Sequence, residues 1–336
     1  MASRRNTAVF LLLGAATALL LMLTLACGAV GIPLRDVAAA LTGGDVSTDY
    51  YRVIVLEARL PMAIAALLSG AALSASGLML QTTFQNPLAG PSVLGVSSGA
   101  SLGVALLMLT GLGAIGAALP VIGALVGAGA VIIALTAFSR ALRSQTMLLI
   151  AGIMVSYLAS ALITLLNFFA PATDVKMFAV WGMGSFSAVR LPQLPLFAGM
   201  TLILLLGAML LVKPLDAMLL GERYAASMGI DTTRVRHRLL FVSGALTAVA
   251  TAYCGPIGFI GLAVPHVARM LLRTSSHAVL MPATILAGGA TALLCAWLAV
   301  IPSSLGVLPV NAITPLIGVP VIIYILLRRH RLRYFN

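Results

Sequence analysis

Side chains able to do chemistry are scarce along the 336 residues, and their spacing suits none. Cys27, Cys254 and Cys295 stand singly in apolar runs, without a CxxC or Cys/His pattern, so packing is their expected role and no metal site is expected. His237, His266, His277 and His330 are equally scattered. The only lysines, Lys176 and Lys213, lie in no phosphate-loop context, and no nucleophile elbow, HExxH or carboxylate pair occurs. The expected catalytic residues are therefore none, and the chain is not expected to hydrolyse ATP or form covalent intermediates. Met79, Met108, Met154, Met183 and Met200 sit in apolar runs and read as packing, not as haem or iron ligands. No Asp, Glu or Lys lies inside an apolar run, and Arg269 is close enough to one end to snorkel. The ionisable residue that a proton- or sodium-coupled carrier usually buries is absent. An uphill transport step would need energy from a partner.

The polar residues are concentrated in one stretch, 213–238, KPLDAMLLGERYAASMGIDTTRVRHR. Residues 222–228 suit a short helix, with Gly229 where a helix C-terminal glycine would stand. Leu219, Leu220, Ala225 and Met228 form an apolar stripe that a plain connector does not require and that suits docking into a groove on a partner.

The rest of the chain must hold that stretch. It is 61% hydrophobic and 8% charged, too apolar for a water-facing surface, so an all-α polytopic membrane protein is expected. At about 20 residues per span, the apolar runs give ten: 8–30, 60–80, 92–110, 119–138, 146–168, 194–212, 239–254, 256–272, 279–301 and 310–327. Residues 31–59 are expected as a polar loop, and residues 169–193 as a second loop with an interfacial helix at 181–185. The 32 glycines are expected at close helix contacts. Of 20 Lys and Arg, only Arg35, Arg52, Arg59, Lys176 and Arg190 fall on one side if the N-terminus is cytoplasmic. The other fifteen then lie inside, which predicts cytoplasmic termini and a cytoplasmic 213–238 loop. The net charge of +12 then serves topology and anionic membrane lipid, with no nucleic acid required. SGA occurs at 69–71 and again at 243–245, each ahead of a Gly/Pro break, which fits an inverted repeat of spans 2–5 and 7–10. Arg52 and Arg59, with Glu57, read either as interfacial anchors or as a basic knob for an acidic soluble partner.

Longer motifs carry a resemblance. RLP at 59–61, GAAL at 70–73, NPLA at 86–89 and LGVSSGA at 94–100 are followed by WGMGS at 181–185 and LGE at 220–222. MGI at 228–230, GPIGFIGL at 255–262 and GVP at 318–320 complete the set. Together they resemble the permease family of ABC importers for iron-siderophores, haem and vitamin B12, from span two to the C-terminus. The resemblance implies one permease domain over 1–336, in the bacterial inner membrane, that works as a homodimer by alternating access. It implies two ABC ATPase subunits, which carry the ATP and Mg, a periplasmic binding protein, and an iron chelate, haem or cobalamin as cargo. It implies that Leu220, Gly221, Glu222, Ala225, Met228, Gly229 and Ile230 couple to the ATPase. Asn86, Leu88, Ser144, Gln145 and Thr146 fall at the family's cytoplasmic gate, Ser97 and Ser98 on the pathway, and Arg59, with Arg52, at the binding-protein contact. The chain departs at Met62, where a second basic residue is common, and at Asn311, where the family often shows Glu and Gly near Leu-Pro-Val.

Overall fold

The computed structural model describes residues 2–28, 30–111, 118–142, 144–301 and 306–328, apart from the side chains of 2, 3, 222, 223, 325, 326 and 328. Every regular element among them is helical. Helix α1 is Ala2–Ala26. The segment expected as a polar loop before span two is itself largely helical: α2 is Leu34–Thr42, α3 is Asp49–Val53, and a π-helical stretch, Ile54–Arg59, runs straight into α4, Leu60–Thr83. The π register has a cause in sequence. Pro61 has no N–H to offer the carbonyl four residues back, and the ladder shifts so that the Leu60 N–H bonds the Val55 carbonyl.

Helix α4 ends before Asn86-Pro87, where the residue preceding proline avoids helical backbone. Next come α5, Val96–Met108, α6, Leu119–Ala141, and α7, Gln145–Phe169. The interfacial helix lies earlier than expected: α8 is Ala172–Gly182, and the chain turns where 181–185 was read as helical. Helix α9 is Leu194–Leu210, and α10, Val212–Leu219, and α11, Glu222–Ser227, follow. Helix α12, Thr232–Cys254, starts well inside the polar stretch, because Asp231 caps it by accepting from the Arg234 N–H at 2.9 Å. Helices α13, Ile260–Leu272, α14, His277–Val300, and α15, Val310–Arg328, complete the chain.

Among the described residues, six segments are long and apolar enough to cross a membrane: Arg4–Ala26, Asp49–Thr83, Leu119–Ala141, Gln145–Phe169, Leu191–Leu210 and His277–Val300. Three apolar helices are shorter, Val96–Met108, Ile260–Leu272 and Val310–Tyr324. The protein is thus a multi-pass membrane protein. Helix α4 is the central post, with nearly every residue from Pro61 to Thr83 buried, and α12, α13 and α14 pack around it. At Gly70 an added Cβ would lie 2.2 Å from the Gly288 carbonyl oxygen on α14, so the backbones touch. Helix α7 lies at the periphery and exposes Met154, Tyr157, Leu158 and Leu165.

Candidate coupling and gating site

The hook between α9 and α12 is shaped by two glycines and a cap. Gly221 turns the chain at φ +99° into α11. At the other end Gly229 takes φ +81°, its N–H bonding the Ala226 carbonyl at 3.0 Å while the Ile230 N–H reaches the Ala225 carbonyl at 3.1 Å. Those two bonds form a Schellman closure, so Gly229 ends the helix as its sequence position suggests. The stripe on the hook differs from the expected one. Ala225 is fully buried and Leu219 half-buried, so neither offers a free surface. Leu220, Tyr224 and Met228 are 61%, 54% and 60% exposed; Tyr224 and Met228, four apart along α11 and its C-cap, share one side, and Leu220 stands at the end of α10 just before the Gly221 turn. Ile230 is half-buried. Glu222 lies in the first turn of α11, but its side chain lies outside the described residues.

The end of α4 lies beside the hook. Gln85 takes φ +46°, and its Nε2 donates to the Met218 carbonyl of α10 at 3.4 Å. Asn86 turns the loop by accepting from the Leu88 N–H at 2.9 Å, which leaves Leu88 45% exposed. His266 Nε2 donates to the Pro87 carbonyl at 2.8 Å, so the loop hangs from α13. Deeper in, Arg269 Nη1 donates to Gln81 Oε1 at 2.6 Å, and Gln81 Nε2 to the Leu262 carbonyl at 3.0 Å. His277, at the start of α14, meets Asp216 Oδ1 of α10 through both its backbone N–H and its ring Nδ1, each at 2.7 Å, and its Nε2 lies 2.8 Å from Thr82 Oγ1. Arg5 Nη2 reaches the Leu272 carbonyl at 2.6 Å, which brings the start of α1 to the same end. Asp216, Thr82, Gln81, Arg269 and His277 carried no site reading from sequence. Their partners are 61 to 195 residues apart, and no local pattern signals such contacts.

The remaining gate and pathway residues are more dispersed. Ser144 caps α7, accepting from the Met147 N–H at 3.5 Å; Gln145 is half-buried and Thr146 exposed. Ser97 and Ser98 are half-buried, and the Ser97 hydroxyl lies 3.4 Å from Thr251 Oγ1 in the last turn of α12, away from the hook. The glycines of α5 press it onto α6, a close helix contact of the kind expected of them. An added Cβ on Gly103 would lie 1.9 Å from the Gly123 carbonyl oxygen, and one on Gly127 would lie 2.1 Å from that of Gly99.

At the opposite end, the structure corrects the reading of Arg59. The residue is 5% exposed. Its guanidinium donates to the carbonyls of Leu25 at 2.8 Å and Ala26 at 2.7 Å, orphans at the end of α1, and to that of Val30 just beyond it. With its donors committed inside the protein, Arg59 is not an exposed knob. Arg52 is half-exposed and donates to the Gly44 carbonyl. Met62 is buried. Asn311 acts as a latch: its amide donates to the Pro256 carbonyl at 2.6 Å and accepts from the Gly258 N–H at 3.1 Å, binding α15 to the break before α13. Among the described residues no three His, Cys, Asp or Glu gather to hold a metal ion.

Comparison with known proteins places this geometry in a family. The chain resembles the vitamin B12 import system permease protein BtuC of Escherichia coli O17:K52:H18, with 35% identity over 87% of this chain and 89% of that one. The namesake protein of Shigella boydii serotype 18 is 34% identical over 98% of this chain and 97% of its own. A solved structure, described as an inward-facing conformation of a metal-chelate type ABC transporter, superposes with a TM-score of 0.84 at 27% identity, covering 96% of this chain and 99% of that one. The family model of the FecCD transport family matches residues 16–328, so a chain built around a central post, with an exposed hook beside a tethered loop, belongs to the FecCD transport family of importer permeases.

Proposed function

We propose that this chain is the membrane permease of an ATP-driven importer in the bacterial inner membrane, with metal chelates, haem or cobalamin as the cargo class. The observation that carries the reading is the exposure of Leu220, Tyr224 and Met228, large apolar side chains on a polar hook beside the 86–88 loop. An apolar stripe on a water-facing segment is a docking surface, and the partner is an ABC ATPase subunit. ATP closes two such subunits, the hooks of two permease copies move, and one gate opens as the other shuts. Cargo arrives from a periplasmic binding protein, for which Arg52 is the outer contact. Both termini and the 213–238 loop are cytoplasmic in this scheme, by the positive-inside asymmetry.

Packing supports the ten-span inverted repeat within a single membrane domain. Helix α4 packs on α14, and α12 on α6; α5 packs on α6 and α7, and α13 on α14 and α15. Exchanging α4 with α12, α5 with α13, α6 with α14 and α7 with α15 leaves that set unchanged. The paired short helices α5 and α13 each have 13 residues and follow Gly/Pro breaks, as interrupted spans do in repeat-built transporters.

The test is reconstitution in liposomes with and without the ATPase subunits and binding protein, using cyanocobalamin, haemin and a ferric hydroxamate as cargo. Uptake of one of them that requires both ATP and the ATPase supports the proposal. Equal uptake by the chain alone would make it a secondary carrier.

A further inference from the structure

The hook must pass its motion to the gate loop through something that does not slide. Helix α11 packs on α10 and α12, and α10 in turn packs on α4 and α14. Apolar faces in such contacts can slip past one another, whereas short hydrogen bonds are directional. Asp216 supplies them on α10: one carboxylate oxygen holds both the backbone N–H and the ring Nδ1 of His277 at 2.7 Å. A carboxylate only accepts, so Nδ1 donates to it, and Nε2 lies in hydrogen-bond contact with the Thr82 hydroxyl at 2.8 Å, which also reaches the Leu78 carbonyl at 3.1 Å. The ring is 1% exposed and the Asp216 side chain 38%, so the chain of contacts runs from a water-facing carboxylate to the core. Thr82 sits in the last turn of α4, four residues before Asn86, and Gln85 binds α10 again through the Met218 carbonyl. On the other side Gln81 is gripped by α13 through Arg269 and Leu262.

We infer that Asp216, His277 and Thr82 are the tie that transmits displacement of the hook to the end of α4 and so to the 86–88 loop. They are positioning residues for gating, and the inference rests on the proposal that the hook docks an ATPase. A push on α11 moves α10, Asp216 draws the first turn of α14 and the end of α4 together, and the loop follows as one body. Without the tie, the hook still docks and ATP is still hydrolysed, but the loop no longer answers.

The test uses the full chain assembled with its ATPase subunits in nanodiscs, in a cysteine-free background with Leu88→Cys labelled by bimane. Fluorescence is read before and after trapping with ATP and vanadate, together with ATP hydrolysis and ATPase association. Thr82→Val keeps the shape and loses the hydroxyl; Thr82→Ser keeps the hydroxyl; Asp216→Ala removes the acceptor. The expected result is that Thr82→Val and Asp216→Ala retain association and hydrolysis while the fluorescence response falls about tenfold, with Thr82→Ser responding as the parent does. Parent-like responses in Thr82→Val and Asp216→Ala would overturn the tie, as would loss of response in Thr82→Ser. Loss of association in Thr82→Val would make the hydroxyl a folding element and overturn it too. Failure of the parent chain itself to bind the ATPase would instead defeat the proposed function.

Discussion

Leu220, Tyr224 and Met228 carry the functional reading, and each can be changed without touching the packed body, since each is more than half exposed. Met228→Asp is expected to leave membrane insertion and yield unchanged. It should weaken ATPase binding at least about tenfold, because a carboxylate in an apolar docking surface must be desolvated without a partner; a pull-down titration reads this. Arg59→Ala has the opposite character. It leaves the carbonyls of Leu25 and Ala26 at the end of α1, and of Val30 beyond it, without their donor, and the expected loss is about 3 kcal/mol of stability, seen as a lower midpoint in thermal unfolding in detergent with no specific effect on ATPase binding. Gly229 was legible in sequence because a left-handed helix end needs a residue without Cβ. Arg59 was read as a docking residue because nothing local reveals that its partners lie 29 to 34 residues upstream. Ala225 was placed on the stripe because residue type alone does not say which side of so short a helix meets the body.

Elements were legible where hydropathy alone defines them and less so where capping or register does. The start of α7 lies within one residue of the expected span, because Ser144 caps it where the apolar run begins. The start of α12 was placed late, since Arg234, Arg236 and Arg238 dilute the apolar signal while Asp231 sets the cap. The segment before α4 was read as a loop from its charge, yet it is helical and continuous with α4 through the π turn. Glycines of α5 stand at a close helix contact, as expected of glycines in a membrane bundle. Their helix meets α6 backbone to backbone, so Gly103→Val is expected to force the pair apart and prevent stable folding. Gly129→Val, on the same α6 but with open space around its Cβ, should be tolerated; monodispersity by size-exclusion chromatography distinguishes the two.

At the scale of the whole molecule, the two ends differ in kind. One end gathers Arg5, the tethered 86–88 loop, Asp216, His277 and the hook. The other gathers the α1 cap and the Asn311 latch. Positive-inside counting anticipated that Arg5, Lys213 and Arg269 share a side, but the hydrogen bonds that join that end are long-range and invisible to composition. The proposal turns on which side of the membrane the hook faces. In a cysteine-free background, Met228→Cys is labelled with a membrane-impermeant maleimide in sealed inside-out and right-side-out vesicles. Rapid labelling only in inside-out vesicles, suppressed when the ATPase subunits are bound, is the predicted result. Labelling from the outer side, or inside labelling that the ATPase does not suppress, would contradict a hook driven by a cytoplasmic partner.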